Sequence, residues 1–157
     1  MNNLKRVAVY CGSAPGSDPL FADATRATAA AMAGRGVDLE VAHTGLTELF
    51  HVANMHERKA KMTDLADAFM ALPGGIGTLD ELFEAWSWNA LGYHAKPFCL
   101  LNVGGFWDGL ITFMDHATES GFLSASRRQQ LLVATTPEEA LELLDEAAGR
   151  ATQGMVW

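Results

Sequence analysis

The sequence predicts an α/β protein: an open parallel sheet flanked by helices. Three observations carry this. Short apolar runs alternate with stretches whose apolar residues recur at helical spacing. The runs are apolar throughout, as in strands covered on both faces. Two of them end in glycine-containing turns, Gly12-Ser13-Ala14-Pro15-Gly16 and Pro73-Gly74-Gly75-Ile76-Gly77, at the strand edge where open parallel sheets hold their ligands.

Taken in order, Val7-Ala8-Val9-Tyr10-Cys11 is the first strand. Asp18 is placed to cap a helix with Pro19 at its first position, running to about Ala33 and stopping at Gly34 or Gly36. Val37-Asp38-Leu39-Glu40-Val41 and Leu49-Phe50-His51-Val52-Ala53 both read as strands, with a short turn around His43-Thr44-Gly45 between them. A parallel crossover needs about a dozen residues, so they are either a local antiparallel pair or neighbours of something missing. Asn54 and Glu57 form a capping-box pattern for a helix with Met55, Arg58, Met62, Leu65 and Ala66 on its stripe. Ala68-Phe69-Met70-Ala71-Leu72 is the central strand, and a helix from Leu79 towards Leu91 follows its glycine turn. Pro97 to Val103 is a further strand, Trp107 to Ser120 a helix stopped by Gly121, and Gln130 to Thr135 a last strand. Thr136-Pro137-Glu138-Glu139 opens the final helix, and Arg150 to Gly154 reads as a frayed end.

The 157 residues suit one domain with a real core, residues 1–157. A net charge of −8 argues against a nucleic-acid binder but says little about a small anionic ligand, which one local pocket decides. Two cysteines, Cys11 and Cys99, and an N-terminus without an apolar leader indicate a reduced, cytoplasmic protein. No run is long enough to span a bilayer. The five histidines lack metal-ligand spacing, so no metal is expected, and by default they belong to surface or loops. Cys99 and Trp86 read as core, and Trp88 as a candidate for a subunit interface.

The chemistry gathers at the second glycine turn. Helix N-termini carry unpaired N–H groups and partial positive charge, so Gly74, Gly75 and Gly77 can bring a phosphate close to backbone. A tight turn without a ligand explains the same residues. Glu81 can be a catalytic carboxylate, or the far end of a Thr78-Leu79-Asp80-Glu81 capping box. Arg58 and Lys59 are either a solvated basic pair or a contact to an anionic or planar group.

Pro73-Gly74-Gly75-Ile76-Gly77-Thr78-Leu79-Asp80-Glu81 matches the P-G-G-x-G-T-x-x-E signature of the LOG (LONELY GUY) family. Met55-His56-Glu57-Arg58-Lys59-Ala60 resembles that family's upstream R-K helix, and Ala8 to Ser13 its first strand and loop. Trp86 to Gly92, Lys96 to Val103 and Glu119 to Phe122 are similar as well. The resemblance implies a Rossmann-like fold, a homodimer or larger assembly, and no cofactor. The implied reaction is hydrolysis of the N-glycosidic bond of an adenine-type, cytokinin-like nucleoside 5′-monophosphate, giving free base and ribose 5-phosphate. Residue by residue, it implies Arg58 and Glu81 as the catalytic pair. Glu81 would stabilise an oxocarbenium ion or position water, and Arg58 would hold substrate or assist the leaving base. Gly74, Gly75, Gly77 and Thr78 would cradle phosphate or ribose, with Gly12, Ser13, Lys59 and Glu40 as further substrate contacts. Family members carry a strand ending in Y-G-G-G, a G-L-M-G helix start and a strand ending near I-P, and this sequence has none of them. The match breaks after Leu39 and resumes at Glu40, so the sheet is expected to lack one strand–helix–strand segment. Such a loss could open a hole in the sheet. The rival reading is a non-catalytic nucleotide-binding or subunit-interaction protein that lost turnover with that segment.

Overall fold

A computed structural model describes residues 3–39 and 51–153. In chain order the elements are β1 (Arg6–Tyr10), α1 (Pro19–Gly34), β2 (Asp38–Leu39), α2 (Met55–Leu65), β3 (Ala68–Ala71), α3 (Ile76–Ala90), β4 (Phe98–Leu101), α4 (Asp108–Glu119), α5 (Ala125–Gln130), β5 (Leu131–Ala134) and α6 (Pro137–Gln153). The five strands are all parallel, in the order β2-β1-β3-β4-β5. This is the doubly wound, Rossmann-like α/β arrangement expected.

Alternation along the strands explains the layers. Val7, Val9, Ala68, Met70, Cys99 and Leu101 face one way and pack with Met32 of α1 and Ala140, Leu141 and Leu144 of α6. Ala8, Tyr10, Phe69, Ala71, Phe98 and Leu100 face the other way, against Met62 of α2, Leu82, Ala85 and Trp86 of α3 and Met114 of α4. The strands are therefore buried on both faces, which is why their sequence is apolar without alternation. Burial of Cys99 raises its thiol to about 12, so it acts as a small apolar core residue.

Caps set the helix ends. The Asp18 side chain accepts from the Leu20 N–H, and Asn54 from the Glu57 N–H, both as the sequence indicates. Glu57 in turn accepts from the Ala53 N–H at 2.9 Å. Thr136 accepts from Glu139, whose carboxylate receives the Thr135 N–H at 2.8 Å. Between β4 and α4, Gly104 and Gly105 both take positive φ, which lets the chain turn within a 3-10 stretch, Val103–Gly105.

Several expectations need correction. His51, Val52 and Ala53 are not strand, and Leu49 and Phe50 lie outside the described residues, as do Glu40, Val41 and the turn at His43-Thr44-Gly45. What forms from the first of the two proposed strands is β2, which pairs in parallel with β1. Among the described residues β3 pairs directly with β1, so no hole opens there. Met55 is 55 % exposed because it starts α2 beyond the sheet's cover; Met62, Thr63 and Ala66 make the buried side instead. Helix α3 begins at Ile76, three residues before Leu79, and α5 forms where the sequence pattern places no element. The final helix runs on to Gln153 rather than fraying at Arg150.

The amino edge of the sheet is fastened by Asp67, whose carboxylate accepts the Lys5 and Arg6 N–H groups at 2.8 and 2.9 Å. Removing it strands two donors at the start of the central strand pair. Asp67→Ala is expected to lower unfolding free energy by ~1–3 kcal/mol in urea titration, with an unchanged m-value.

Candidate active site

Strands β1 and β3 are neighbours, yet the helices that follow them lie on opposite faces: α1 packs with α6, α3 with α2. Their loops part at the carboxyl edge and leave a crevice, the place where doubly wound sheets bind ligands. At its floor the two loops touch. The Gly12 N–H donates to the Pro73 carbonyl at 3.3 Å. A Cβ on Gly74 would lie 2.8 Å from the Gly12 nitrogen and 2.7 Å from Thr78 Cβ, and would collide with the Thr78 hydroxyl. A Cβ on Gly12 would press on Gly74 Cα at 3.3 Å. Gly74 is thus glycine because two backbones and a threonine meet there.

This overturns the capping-box reading of Thr78 and Glu81. The N-cap of α3 is Gly75, which has no side chain to offer, and no side chain caps the helix. Thr78 sits inside the first turn, 3 % exposed, and its hydroxyl has no hydrogen-bond partner. The first N–H groups of α3 therefore open on the crevice without a competing carboxylate. The N-terminus of α1, across the crevice, is already occupied by Asp18. Gly75 and Gly77 have open space around them, and Ser13 is exposed on the β1–α1 loop.

Glu81 lies on α3 beyond this turn, half-buried. Desolvation raises its carboxyl above the ordinary value, and Arg58 only partly offsets that, with Asp80 adding to the rise and Lys59 opposing it. Arg58 of α2 is exposed, with its guanidinium 4.0 Å from Met55 Sδ. The structure thus brings Arg58 and Glu81 into one electrostatic neighbourhood. Cys11, at the end of β1, joins it: partial desolvation and the Glu81 charge hold its thiol above the usual range. Lys59 turns elsewhere, to Asp80 at 3.0 Å and Glu84 at 2.5 Å on α3. Hydrogen bonds to Glu84 and then Asp80 raise its pKa, so it stays charged. Glu40 lies outside the described residues.

Sequence reasoning missed Cys11 as a neighbour of Glu81, and Asp80 and Glu84 as partners of Lys59. The spacing of Asp80 and Glu84, one helical turn apart, was the available signal. Of the histidines, His94 is half-buried against the Phe69 ring, and burial followed by Lys96 lowers its pKa. Among the described residues no cluster of His, Cys, Asp or Glu could hold a metal ion, and no helix is long and apolar enough to cross a membrane.

Fold and crevice together define an α/β protein with an uncapped helix N-terminus and a half-buried carboxylate, Glu81, within the electrostatic reach of Arg58 at its switch point. Residues 20–144 match the family model described as "Possible lysine decarboxylase". The probable cytokinin riboside 5′-monophosphate phosphoribohydrolase LOGL3 of Oryza sativa subsp. japonica is 34 % identical over 194 residues, covering 99 % of this chain and 92 % of that protein. Cytokinin riboside 5′-monophosphate phosphoribohydrolase LOG of the same plant is 35 % identical, covering 99 % of this chain and 79 % of its own. LOG2 of Arabidopsis thaliana, of the same description, is 34 % identical over 92 % and 84 %. The chain belongs to this family, the LOG family.

The glycines of the turn should respond differently to one methyl group. Gly74→Ala is expected to cost ~1–3 kcal/mol through overpacking. Gly77→Ala, in open space within a helix, should raise stability by roughly 0.5–1 kcal/mol. Urea unfolding of the two variants checks the contrast.

Proposed function

We propose that this protein is a phosphoribohydrolase acting on adenine-type nucleoside 5′-monophosphates, N6-substituted cytokinin precursors among them, with Arg58 and Glu81 as the catalytic pair. The observation that carries the reading is the convergence of Glu81 and Arg58 beside the uncapped N-terminus of α3. The relatives named as cytokinin riboside 5′-monophosphate phosphoribohydrolases support the substrate class.

In this reading the 5′-phosphate sits on the N–H groups of Gly75, Ile76 and Gly77, at the positive end of the helix. The Gly12-Ser13 loop closes the opposite side, and Glu40 and Lys59 remain family-based candidates for substrate contacts. The glycosidic bond from C1′ to the base nitrogen breaks with its electron pair going to the base. Positive charge on the ribose is stabilised by the Glu81 carboxylate, or the same carboxylate orients the attacking water. Water oxygen bonds to C1′, one water proton goes to the departing base, and ribose 5-phosphate leaves. Arg58 holds the substrate or eases the departure of the base.

The same reading includes a homodimer or larger assembly in the cytoplasm. Leu91, Tyr93, Phe113 and Phe122 are exposed large apolar side chains of the kind a partner subunit covers. It also treats the chain as a shortened family member with residues lost between Leu39 and Glu40. The match to the rice LOGL3 protein extends over 194 residues against 157 here, which supports a shortening without locating it.

Incubation with AMP and with N6-isopentenyl-adenosine monophosphate should release free base, followed by chromatography. Glu81→Gln should lower kcat by ~10²–10⁴-fold. Because burial raises the Glu81 carboxyl, kcat/KM should fall with acid through an apparent pKa above the ordinary carboxylate value. Binding without base release in the wild-type protein would exclude hydrolysis.

The same shift has a stability consequence. A carboxyl whose folded pKa is raised stabilises the fold fully below its unfolded pKa, and that contribution is lost as pH rises through the folded value. Glu81→Gln should therefore melt higher than wild type near neutral pH. The gap should close in acid below the ordinary carboxylate range, as calorimetric scans across pH would show.

A further inference from the structure

The last carbonyls of a helix lack partners within it. In α2 the Ala66 N–H takes the Met62 carbonyl at 3.0 Å, and the last turn holds no basic residue of its own. A cation from another element completes it. Lys96, just ahead of β4, donates from Nζ to the Thr63 carbonyl and, at 3.2 Å, to the Asp64 carbonyl. An ammonium there also meets the negative end of the helix dipole.

The backbone of Lys96 is held in turn. Its N–H donates to His94 Nδ1 at 3.2 Å, and its carbonyl accepts from Asn89 Nδ2 of α3 at 3.3 Å. A ring nitrogen that accepts carries no proton, so this bond assigns His94 as neutral, with its proton on Nε2. The ring is half-buried and lies against Phe69 of β3, 5.5 Å between centroids. Nε2 is buried without a hydrogen bond of normal geometry, and the Ala85 carbonyl of α3 is the group that favours a charged ring.

We propose that residues 94–96 are a pH-sensitive latch on the end of α2. Neutral His94 holds the Lys96 backbone where its ammonium closes the helix, and a proton on Nδ1 opens it.

Two effects of that proton act on Lys96. The acceptor used by the Lys96 N–H is lost. An imidazolium also stands beside the Lys96 ammonium, and like charges repel. The other charges around the latch bear on the lysine: Asp64 of α2 and Asp67, ahead of β3, favour its ammonium, against burial, which lowers it. Arg127 of α5 is occupied by the Ala90 carbonyl at 3.2 Å. Phe69 and Ala85, which β3 and α3 set against the ring, are uncharged. Burial first and Lys96 second hold His94 below the ordinary histidine value. A histidine depressed in this way contributes stability above its ordinary value, and that contribution is lost as pH falls through the folded value. The latch is therefore closed near neutrality and opens in mild acid.

The test is amide hydrogen exchange on the full chain across a pH series, with His94 followed by its ring C–H resonances. Exchange is expressed as protection relative to the unfolded peptide, so the intrinsic pH dependence cancels. Protection of the Leu65 and Ala66 amides should fall ~10-fold with the same midpoint as the His94 ring, while Met70 and Leu100 in the sheet stay protected. His94→Asn keeps an acceptor for the Lys96 N–H and cannot take up the proton. In that variant the fall should disappear. Lys96→Met should show low Leu65 and Ala66 protection at every pH, as a latch that is always open.

Protection that stays level through the His94 midpoint would overturn the proposal. So would an equal fall in His94→Asn, which would assign the effect to the carboxylates of Asp64 and Asp67. A loss shared by Met70 and Leu100 would also overturn it, because that marks global unfolding. A ring that stays neutral down to the onset of acid unfolding would do the same. The wild-type protein and His94→Asn decide the matter between them, whether or not Lys96→Met folds.

Discussion

Backbone meets backbone at Gly12 and Gly74, and the rest of the crevice depends on that approach. The β1–α1 and β3–α3 loops touch with no side chain between them, and Thr78 fills the space below. The contact draws the N-terminus of α3 to the carboxyl edge beside β1. It also fixes where α3 starts, hence where Glu81 emerges. A side chain at Gly74 would push the loops apart and carry Glu81 with them. The close approach thus connects one absent methyl group to the placement of a carboxylate several residues along the helix.

Electrostatics then distributes roles among five charged residues on two helices. Asp80, Glu81 and Glu84 project from α3, Arg58 and Lys59 from α2. Lys59 bonds Asp80 and Glu84, and Arg58 is the stronger of the two cations that act on Glu81. For Glu81 desolvation outweighs the arginine, so its carboxyl is raised despite a nearby cation. A carboxylate held in that way is more basic than a solvated one and better suited to charge developing beside it. Arg58, by contrast, stays exposed, available to a ligand that enters the crevice.

The fold was legible because its signals are local. Apolar runs located β1, β3, β4 and β5 to within one or two residues at each end, and Asp18, Asn54 and Thr136 marked helix starts through their own side chains. Where no side chain marks the boundary, reading failed: the residue at the N-cap position of α3 is Gly75, which offers no side chain, and a threonine inside the first turn imitates a cap. The short α5 has no apolar stripe, since none of its residues is buried. Arg58 and Glu81 were recognisable from the family signature, but their neighbourhood was not. Cys11 and Glu81, and Lys59 and Glu84, meet only once the sheet order is known. A crossover after β2 presupposes a second strand that His51, Val52 and Ala53 do not form, and the direct pairing of β1 with β3 required the structure.

That direct pairing bears on which helix start is open to an anion at the switch point. Two helix N-termini face the switch point, and a phosphate could in principle use either. Asp18 already satisfies the start of α1 and places a carboxylate there, so an anion at that end would be repelled. The start of α3 has neither a cap nor an acid in its first turn. The helix start left without a capping side chain is therefore that of α3. Pairing of β1 with β3, contact of their loops and the α2–α3 ion bridges all lie within the described residues.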